Sequence, residues 1–477
     1  MTPPGDASRE FATDVVRQLR AAGHVALWAG GCVRDLLLGR GAKDFDVATS
    51  ATPEQVRTLF GKRRTLAVGE SFGVIIVLPP TKAAEPVEVA TFRTEGAYLD
   101  GRRPTEVAFS TPEEDAQRRD FTINGMFYDP LEQRVLDYVG GEADLHRKVL
   151  RAIGDPHARM TEDKLRMLRA VRFAATLEFE LDPITLAAVQ QMAPEMRVVS
   201  AERIAQELRK ILAHRSRVRG FRLLVETGLL EVLFPEVQPQ PAAPARVGRP
   251  PGGHQHPVDS TTEPEEVASH LPLLAQRVTE REPLLAQRAG GVIEHITATL
   301  EHLPPSTRFE LATAALLQQV PCLVHEPRTT PESAGTVWEI TRRLKLSAEE
   351  MTAIAWLVGH LDCWNDAEQL SAAQLKRVLA HPLSQDLRCL IRAVRTAACL
   401  PLTPIQFVDD FAARHAPDQI NPPELISGRD LIALGLSPGP RFKQLLDTVR
   451  DVQLNGEIGT RDEALALIRT AGVSQPM

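Results

Sequence analysis

Residues 28–49 read WAGGCVRDLLLGRGAKDFDVAT, and no other stretch of the chain limits its fold so tightly. Val25 to Ala29 has the pattern of a short buried strand, Gly30-Gly31 makes a turn without side chains, and Val33 to Leu38 gives a helical turn or two closed by Gly39. A second strand is predicted from Lys43 to Thr49. On it Asp44 and Asp46 are two residues apart and so point to one side of the sheet. Like-charged carboxylates held side by side repel, so they share either a proton or a cation, and a hard divalent ion is the simpler answer.

Taken alone, Asp-x-Asp also fits a solvated strand edge. The Gly30-Gly31 turn upstream shifts the balance, because backbone free to approach a ligand and followed by a helix start suits a polyphosphate. Arg34 adds a fixed positive charge one helical turn on. Together these parts suit a nucleoside triphosphate with magnesium, the metal activating an attacking hydroxyl and neutralising a leaving pyrophosphate.

Gly-Gly-x-Val-Arg-Asp followed by Asp-x-Asp resembles the first motif of the class II nucleotidyltransferases, the family of bacterial CCA-adding tRNA nucleotidyltransferases and poly(A) polymerases. The resemblance continues through RRDFTIN at Arg118 to Asn124, EDKLRMLRAVRF at Glu162 to Phe173 and SAERIAQELRKIL at Ser200 to Leu212, roughly the first half of the chain. It implies an α+β fold: an N-terminal nucleotidyltransferase head, similar to polymerase β and built on a mixed sheet, followed by an all-helical neck, body and tail. It implies template-independent addition of CMP and AMP, from CTP and ATP, to a tRNA 3′ end. Poly(A) synthesis, A-only or CC-only addition, and a catalytically dead RNA-binding scaffold stay open beside it. Gly69-Glu70-Ser71-Phe72-Gly73 resembles the CCA-adding side of the family more than the basic aromatic strand of its polymerases.

A chain of 477 residues is too long for one core. The expected parts are a head over 1–150, a helical neck over 151–235, a Pro/Gly-rich insertion over 236–290, a body over 291–400 and a tail over 401–477. A net charge of -7 gives no global sign of a nucleic-acid binder, so local clusters must carry that expectation. Five cysteines without a C-x-x-C pair point to reduced thiols rather than disulfides or zinc. With no apolar signal core in MTPPGDASRE and no long apolar run, a soluble, cytoplasmic protein without membrane contact is expected. Oligomeric state is not legible.

Along the head, residues 6 to 22 place Phe11, Val15 and Leu19 on one helical face. Thr52-Pro53-Glu54-Gln55 supplies a cap, a first-turn proline and a capping-box glutamine for a helix to about Phe60, stopped by Gly61. Lys62-Arg63-Arg64 is either a solvated loop or a phosphate contact. Strands are predicted at Phe72 to Leu78 and Val87 to Phe92, the second carrying Glu88 on a run otherwise suited to burial. Glu88 is either a third metal-site acid or a salt-bridged edge residue. The segment TFRTEGAYLDGRRPTEVAF resembles the family's mobile loop, and DPLEQRVLDYVGGEADL predicts a closing hairpin.

Beyond Asp155 helical patterns take over. In a helix holding Glu162 to Phe173, Asp163 and Arg166 lie three apart on one face and suit the edges of cytosine or adenine, with an acceptor beside a donor. The resemblance implies nucleotide binding by Gly30, Gly31, Arg34, Arg119, Arg169 and Arg172, with Asn124 orienting the same region; helical drift supports Arg169 better than Arg172. Arg203, Arg209, Lys210, Arg215, Arg217, Arg219 and Arg222 suggest either a track for the tRNA backbone or an ordinary charged surface. Residues 238–257 and the twice-occurring PLLAQR, at Pro272 and Pro283, look like an insertion. In the body, Ala314-Ala315-Leu316-Leu317-Gln318-Gln319 stands where some relatives carry the His-Asp pair of an HD phosphohydrolase. His295 and His360 lack carboxylate partners, so a degenerate region without hydrolase activity is expected. Pro423 to Thr470 resembles the family's closing segment, which is implied to hold the tRNA elbow.

Overall fold

The computed structural model describes residues 4–42, 44–69, 73–95, 107–237, 291–320, 335–437 and 439–473. It divides into two compact units, Met1–Leu233 and Phe234–Met477.

The first unit begins with helix α1 (Pro4–Ala21), strand β1 (Ala26–Ala29), helix α2 (Gly31–Leu37) and strand β2 (Asp46–Thr49). Helix α3 (Pro53–Phe60) follows with its full capping box, Thr52 accepting from Gln55 N and Gln55 returning the bond. Strands β3 (Thr65–Gly69), β4 (Val74–Val77), β5 (Val87–Thr91), β6 (Arg93–Glu95) and β7 (Val107–Phe109) lead to helix α4 (Pro112–Gln117). The hairpin β8 (Phe127–Asp129) and β9 (Arg134–Leu136) closes the sheet. Its order is β3-β4-β5-β2-β1-β8-β9. Only β2 and β5 run parallel, so the sheet is mixed as expected.

Alternation along the strands sorts side chains between the two faces. Phe11, Val15 and Leu19 of α1 are buried, and Arg9 of that helix lies over the Trp28 ring. The opposite face gathers Leu27, Ala29, Ala48, Phe92, Ala116 and Phe127 into one apolar cluster. Asp46 pairs with Ala29 across the ladder, and so stands at the end of this second face. The second strand is shorter than predicted. It starts at Asp46, which leaves Asp44 in the approach to it, and Lys43 and Phe72 lie outside the described residues.

Helix α5 (Gly141–Arg147) and strand β10 (Val149–Leu150) lead into the helical part. There the expected helix over Glu162 to Phe173 is two helices, α6 (Pro156–Glu162) and α7 (Arg166–Leu177). Asp163 is extended (φ -147°, ψ 105°) and its carboxylate accepts from Leu165 N, so it restarts the chain as a cap instead of continuing the first helix. Strand β11 (Glu180–Leu181) pairs parallel with β10. Helices α8 (Pro183–Met192), α9 (Ala201–Leu212), α10 (Arg217–Glu226) and α11 (Leu229–Leu233) complete the unit.

The second unit is helical throughout its described residues, from Val292 to Val473. Its last part packs Ile426, Leu431, Val449, Ala464 and Ile468 together, with Leu436, Phe442 and Leu446 against them. Ile432 is exposed, and Pro440–Asn455 is one long helix where shorter ones were expected. Gln318 is buried and donates to Thr299 Oγ1 at 2.8 Å. The Pro/Gly-rich insertion and both PLLAQR copies lie outside the described residues.

Close packing under the head tolerates no extra atom at Gly141, where a Cβ would stand 2.2 Å from the Thr122 carbonyl oxygen. Gly141→Ala is expected to lower stability by about 1 to 3 kcal/mol, read as a fall in the urea unfolding midpoint at unchanged slope.

Candidate active site

Asp44 and Asp46 are exposed on either side of buried Phe45, whose ring packs 4.8 Å from that of Trp28. The sequence thus pins the intervening residue inward and turns both acids outward. Parallel pairing of β2 with β5 sets Glu88 directly beside Asp46. Glu88 is exposed, so the burial expected for it is corrected: alternation along β5 buries Val87, Val89 and Thr91 and turns residue 88 to the acid face.

Although the Asp46 side chain reaches solvent, the surrounding protein strips water from it, Glu88 adds like charge, Arg119 opposes and Asp44 adds more. The net effect pushes its carboxyl up to about 6. Among the described residues no three acidic, histidine or cysteine side chains converge as a self-sufficient metal cage, and what Glu88 adds beside Asp46 is like charge. Magnesium is commonly held by one or two carboxylates, with substrate oxygens and water completing its shell. Two exposed carboxylates, Asp44 and Asp46, the second with its proton affinity raised, fit that ion.

Gly30 follows β1 at once and is next to Asp46 through the Ala29 pairing. Its backbone (φ 73°, ψ -128°) is open only to glycine, and a Cβ there would meet Arg119 Nη1 at 3.2 Å. Arg119 owes its place to Asp115 on α4, a buried acid bonded to both Arg118 and Arg119. Burial works against the Asp115 charge, but Arg119 and Arg118 outweigh it and hold the carboxyl below its usual range. Arg119 also rests over the Phe127 ring at 5.0 Å.

Arg34 donates to Asn124 Oδ1 at 2.8 Å, and Asn124 donates to Asp120 Oδ1 at 3.2 Å. Asp120 takes two bonds from Arg169, which connects the head to α7. Its carboxyl is also depressed: burial opposes the charge, while Arg169, the Asn124 bond and Arg166 more than offset it. Arg172 bonds Glu207 of α9 and lies over the Phe173 ring. Arg169 and Arg172 both lie over one ring, and because Asp163 is outside their helix, a drift counted from Asp163 does not apply to them.

Asp163 and Arg166 meet at a corner, Arg166 N donating to the Asp163 carbonyl at 3.0 Å, and not on one helical face. The Arg166 guanidinium is largely committed to Glu162 and to the carbonyls of Arg159 and Arg118. Facing the Asp163 carboxylate is Arg203, at 2.6 Å, forty residues on. Of the expected RNA-contacting residues, Lys210 and Arg215 are exposed and Arg209 is half-buried. Arg217 is a correction: it is 2% exposed and donates to the Leu212 carbonyl, so it caps a helix end inside the fold and cannot reach RNA. Arg219 bonds Glu180 and the Phe179 carbonyl at the surface.

Asp115 and Glu207 were missed in the sequence, while Arg203, expected on an RNA track, is paired with Asp163. Only the first left a trace, since Asp115 to Arg118 and Arg119 is helical i,i+3 and i,i+4 spacing. The Glu70-to-Phe72 stretch and the tip of the expected mobile loop lie outside the described residues.

Residues 26–151 match the family model described as the poly A polymerase head domain, and residues 178–240 match the probable RNA and SrmB-binding site of polymerase A. Most of the first half of the chain is thus similar to domains of the poly A polymerase family. The CCA-adding enzyme of Bacillus subtilis (strain 168) is 46% identical over 223 residues, which cover 46% of this chain and 55% of that protein. The CCA-adding enzyme of Geobacillus stearothermophilus is 43% identical over 219 residues, 46% of this chain and 53% of its own. The match thus spans about half the length of these relatives. The crystal structure of the Bacillus stearothermophilus CCA-adding enzyme in complex with CTP aligns over 99% of both chains, with a TM-score of 0.66 and 27% identity.

The Asp46 carboxyl binds its proton more tightly folded (about 6) than at its ordinary value of 3.8, so this group's penalty is absent below about pH 3.8 and complete above about pH 6. Asp46→Asn should therefore melt higher than the parent at pH 7.5 in chelator, with the gap closing as pH falls through that window; an equal gap at pH 4 and 7.5 would contradict the crowding of acids.

Proposed function

We propose that this protein is a template-independent tRNA nucleotidyltransferase, adding CMP and AMP from CTP and ATP to the tRNA 3′ end. The observation that carries the reading is the crowded acid pair Asp44 and Asp46, set against the Gly30 turn and Arg119. Three exposed acids leave this corner with an excess of negative charge, which a triphosphate alone would be repelled by and which divalent ions would reconcile. Asp44 and Asp46 would hold magnesium. When bound, that ion would lower the pKa of the primer 3′-hydroxyl and neutralise charge on the leaving pyrophosphate.

The reaction forms a bond from the primer 3′ oxygen to the α-phosphorus as the bond to pyrophosphate breaks. Gly30 and Gly31 keep side chains clear of the phosphates, and Arg119 and Arg34 supply their cationic partners. At the α6–α7 corner Asp163 offers the acceptor for a base amino group. Arg203 and the uncommitted N–H groups of Arg166 stand beside it as donors toward N3 of cytosine or N1 of adenine. Uracil and guanine present the opposite polarity to that acceptor, so a mismatch leaves buried groups unpaired. The exposed Lys210 and Arg215, with Arg209, serve the tRNA backbone through sequence-blind phosphate contacts. The site of action is the cytoplasm, where tRNA is matured; no described helix is long and apolar enough to cross a membrane.

Incubating tRNA that lacks its 3′ end with labelled CTP and ATP, separately and together, tests the reading by product length. Three added nucleotides are expected; a long A-tract would make it a poly(A) polymerase, and no extension would leave an RNA-binding scaffold. Asp46→Ala should reduce incorporation by at least about a thousandfold while tRNA affinity measured by filter binding stays within about twofold. Asp163→Ala should raise UTP incorporation relative to CTP by about tenfold or more.

A further inference from the structure

The ring of Phe173 is where three guanidinium groups meet. Its centre lies 5.4 Å from the guanidinium carbon of Arg34, 5.3 Å from that of Arg169 and 3.9 Å from that of Arg172. Arg34 comes from α2 in the head, the other two from α7, and the ring itself is only 7% exposed. Cations gathered so closely repel, and each brings its own acid: Asp35 for Arg34, Asp120 for Arg169 and Glu207 for Arg172. An aliphatic side chain at 173 could fill the same space. It could not offer the negative face that attracts a guanidinium.

A second route joins the same groups. Arg34 donates to Asn124, Asn124 to Asp120, and Asp120 accepts from Arg169, so hydrogen bonds and the ring hold Arg34 and Arg169 from two sides. Phe121 packs edge to face with Phe173 at 5.8 Å and 76°, fixing the ring in turn. Phe121 also belongs to the segment that carries Arg119.

We infer that Phe173 is a positioning residue for nucleotide binding: its π face holds Arg34, Arg169 and Arg172 in one cluster, so that α7 contributes to triphosphate affinity without the ring touching the nucleotide. The inference rests on the nucleotidyltransferase reading above. Guanidinium groups placed for phosphates act alike on every nucleotide, so the effect falls on CTP and ATP together and leaves base choice alone.

The test replaces Phe173 in the full chain with 4-fluoro-, 3,5-difluoro- and 3,4,5-trifluorophenylalanine, which nearly preserve the ring's shape while draining charge from its face. KM for CTP and for ATP should climb in parallel through the series, to about tenfold at the trifluoro ring, with kcat and the CTP-to-UTP ratio within about twofold. Phe173→Leu should show the same rise, and Phe173→Tyr, which keeps a π face, should restore KM. Flat KM values across the fluorine series, or a fall in kcat at constant KM, would overturn the role. If the unmodified chain neither binds CTP or ATP by calorimetry nor extends tRNA, the enzymatic reading itself fails, and this inference with it.

Discussion

Side-by-side carboxylates at the end of β2 are the constraint to which the rest of the first unit answers. A sheet built only for stability would not pair Asp46 with Glu88 across parallel strands, since like charges directly opposite one another are destabilising. The cost is offset beneath and around the site. Phe45 packs on Trp28, the Leu27, Ala29 and Phe127 cluster fills the other face, and Arg119 is brought in by Asp115 to oppose the excess. Gly30 then becomes obligatory, because its backbone is open only to glycine, and a Cβ there would also press on Arg119, which moderates Asp46.

Arginines recur throughout the neck, yet the structure treats few of them as free positive charge. Arg166, Arg169, Arg172 and Arg203 each meet an acid from another part of the fold or an adjoining turn, in the persons of Glu162, Asp120, Glu207 and Asp163. Partly buried pairs of this kind specify geometry more than they add stability, because desolvation cancels much of their attraction. Arg169 shows the purpose well: its Nε and Nη2 both donate to Asp120 Oδ2, which holds the guanidinium more closely than one bond would.

Local patterns carried most of what was legible in the sequence. The Gly30 turn, the capping box at Thr52 and Gln55 and the closing hairpin each depend on residues a few positions apart and are where they were expected. Asp44 and Asp46 both face outward, although only Asp46 is on the strand. Failures came where a long-range partner decided the outcome. The pattern over Glu162 to Phe173 is helical throughout, and nothing local reveals that Asp163 will turn its carboxylate on Leu165 N and face Arg203 instead. Arg217 looked like surface because charge usually means exposure, but a carbonyl at the end of α9 drew it inside. Glu88 erred in the other direction: a β-branched run suggested two buried faces, and the sheet covers only one there.

One further feature bears on how the molecule can work. The segment around Asp120 is fastened to the helices behind it by Arg166 to the Arg118 carbonyl, Arg169 to Asp120, and Thr122 N to the Arg151 carbonyl, while Arg151 itself ties Asp144 to Asp182. Fasteners on several sides make a welded seam where a hinge could have been. Bending head against neck at this seam would have to break several charged contacts at once.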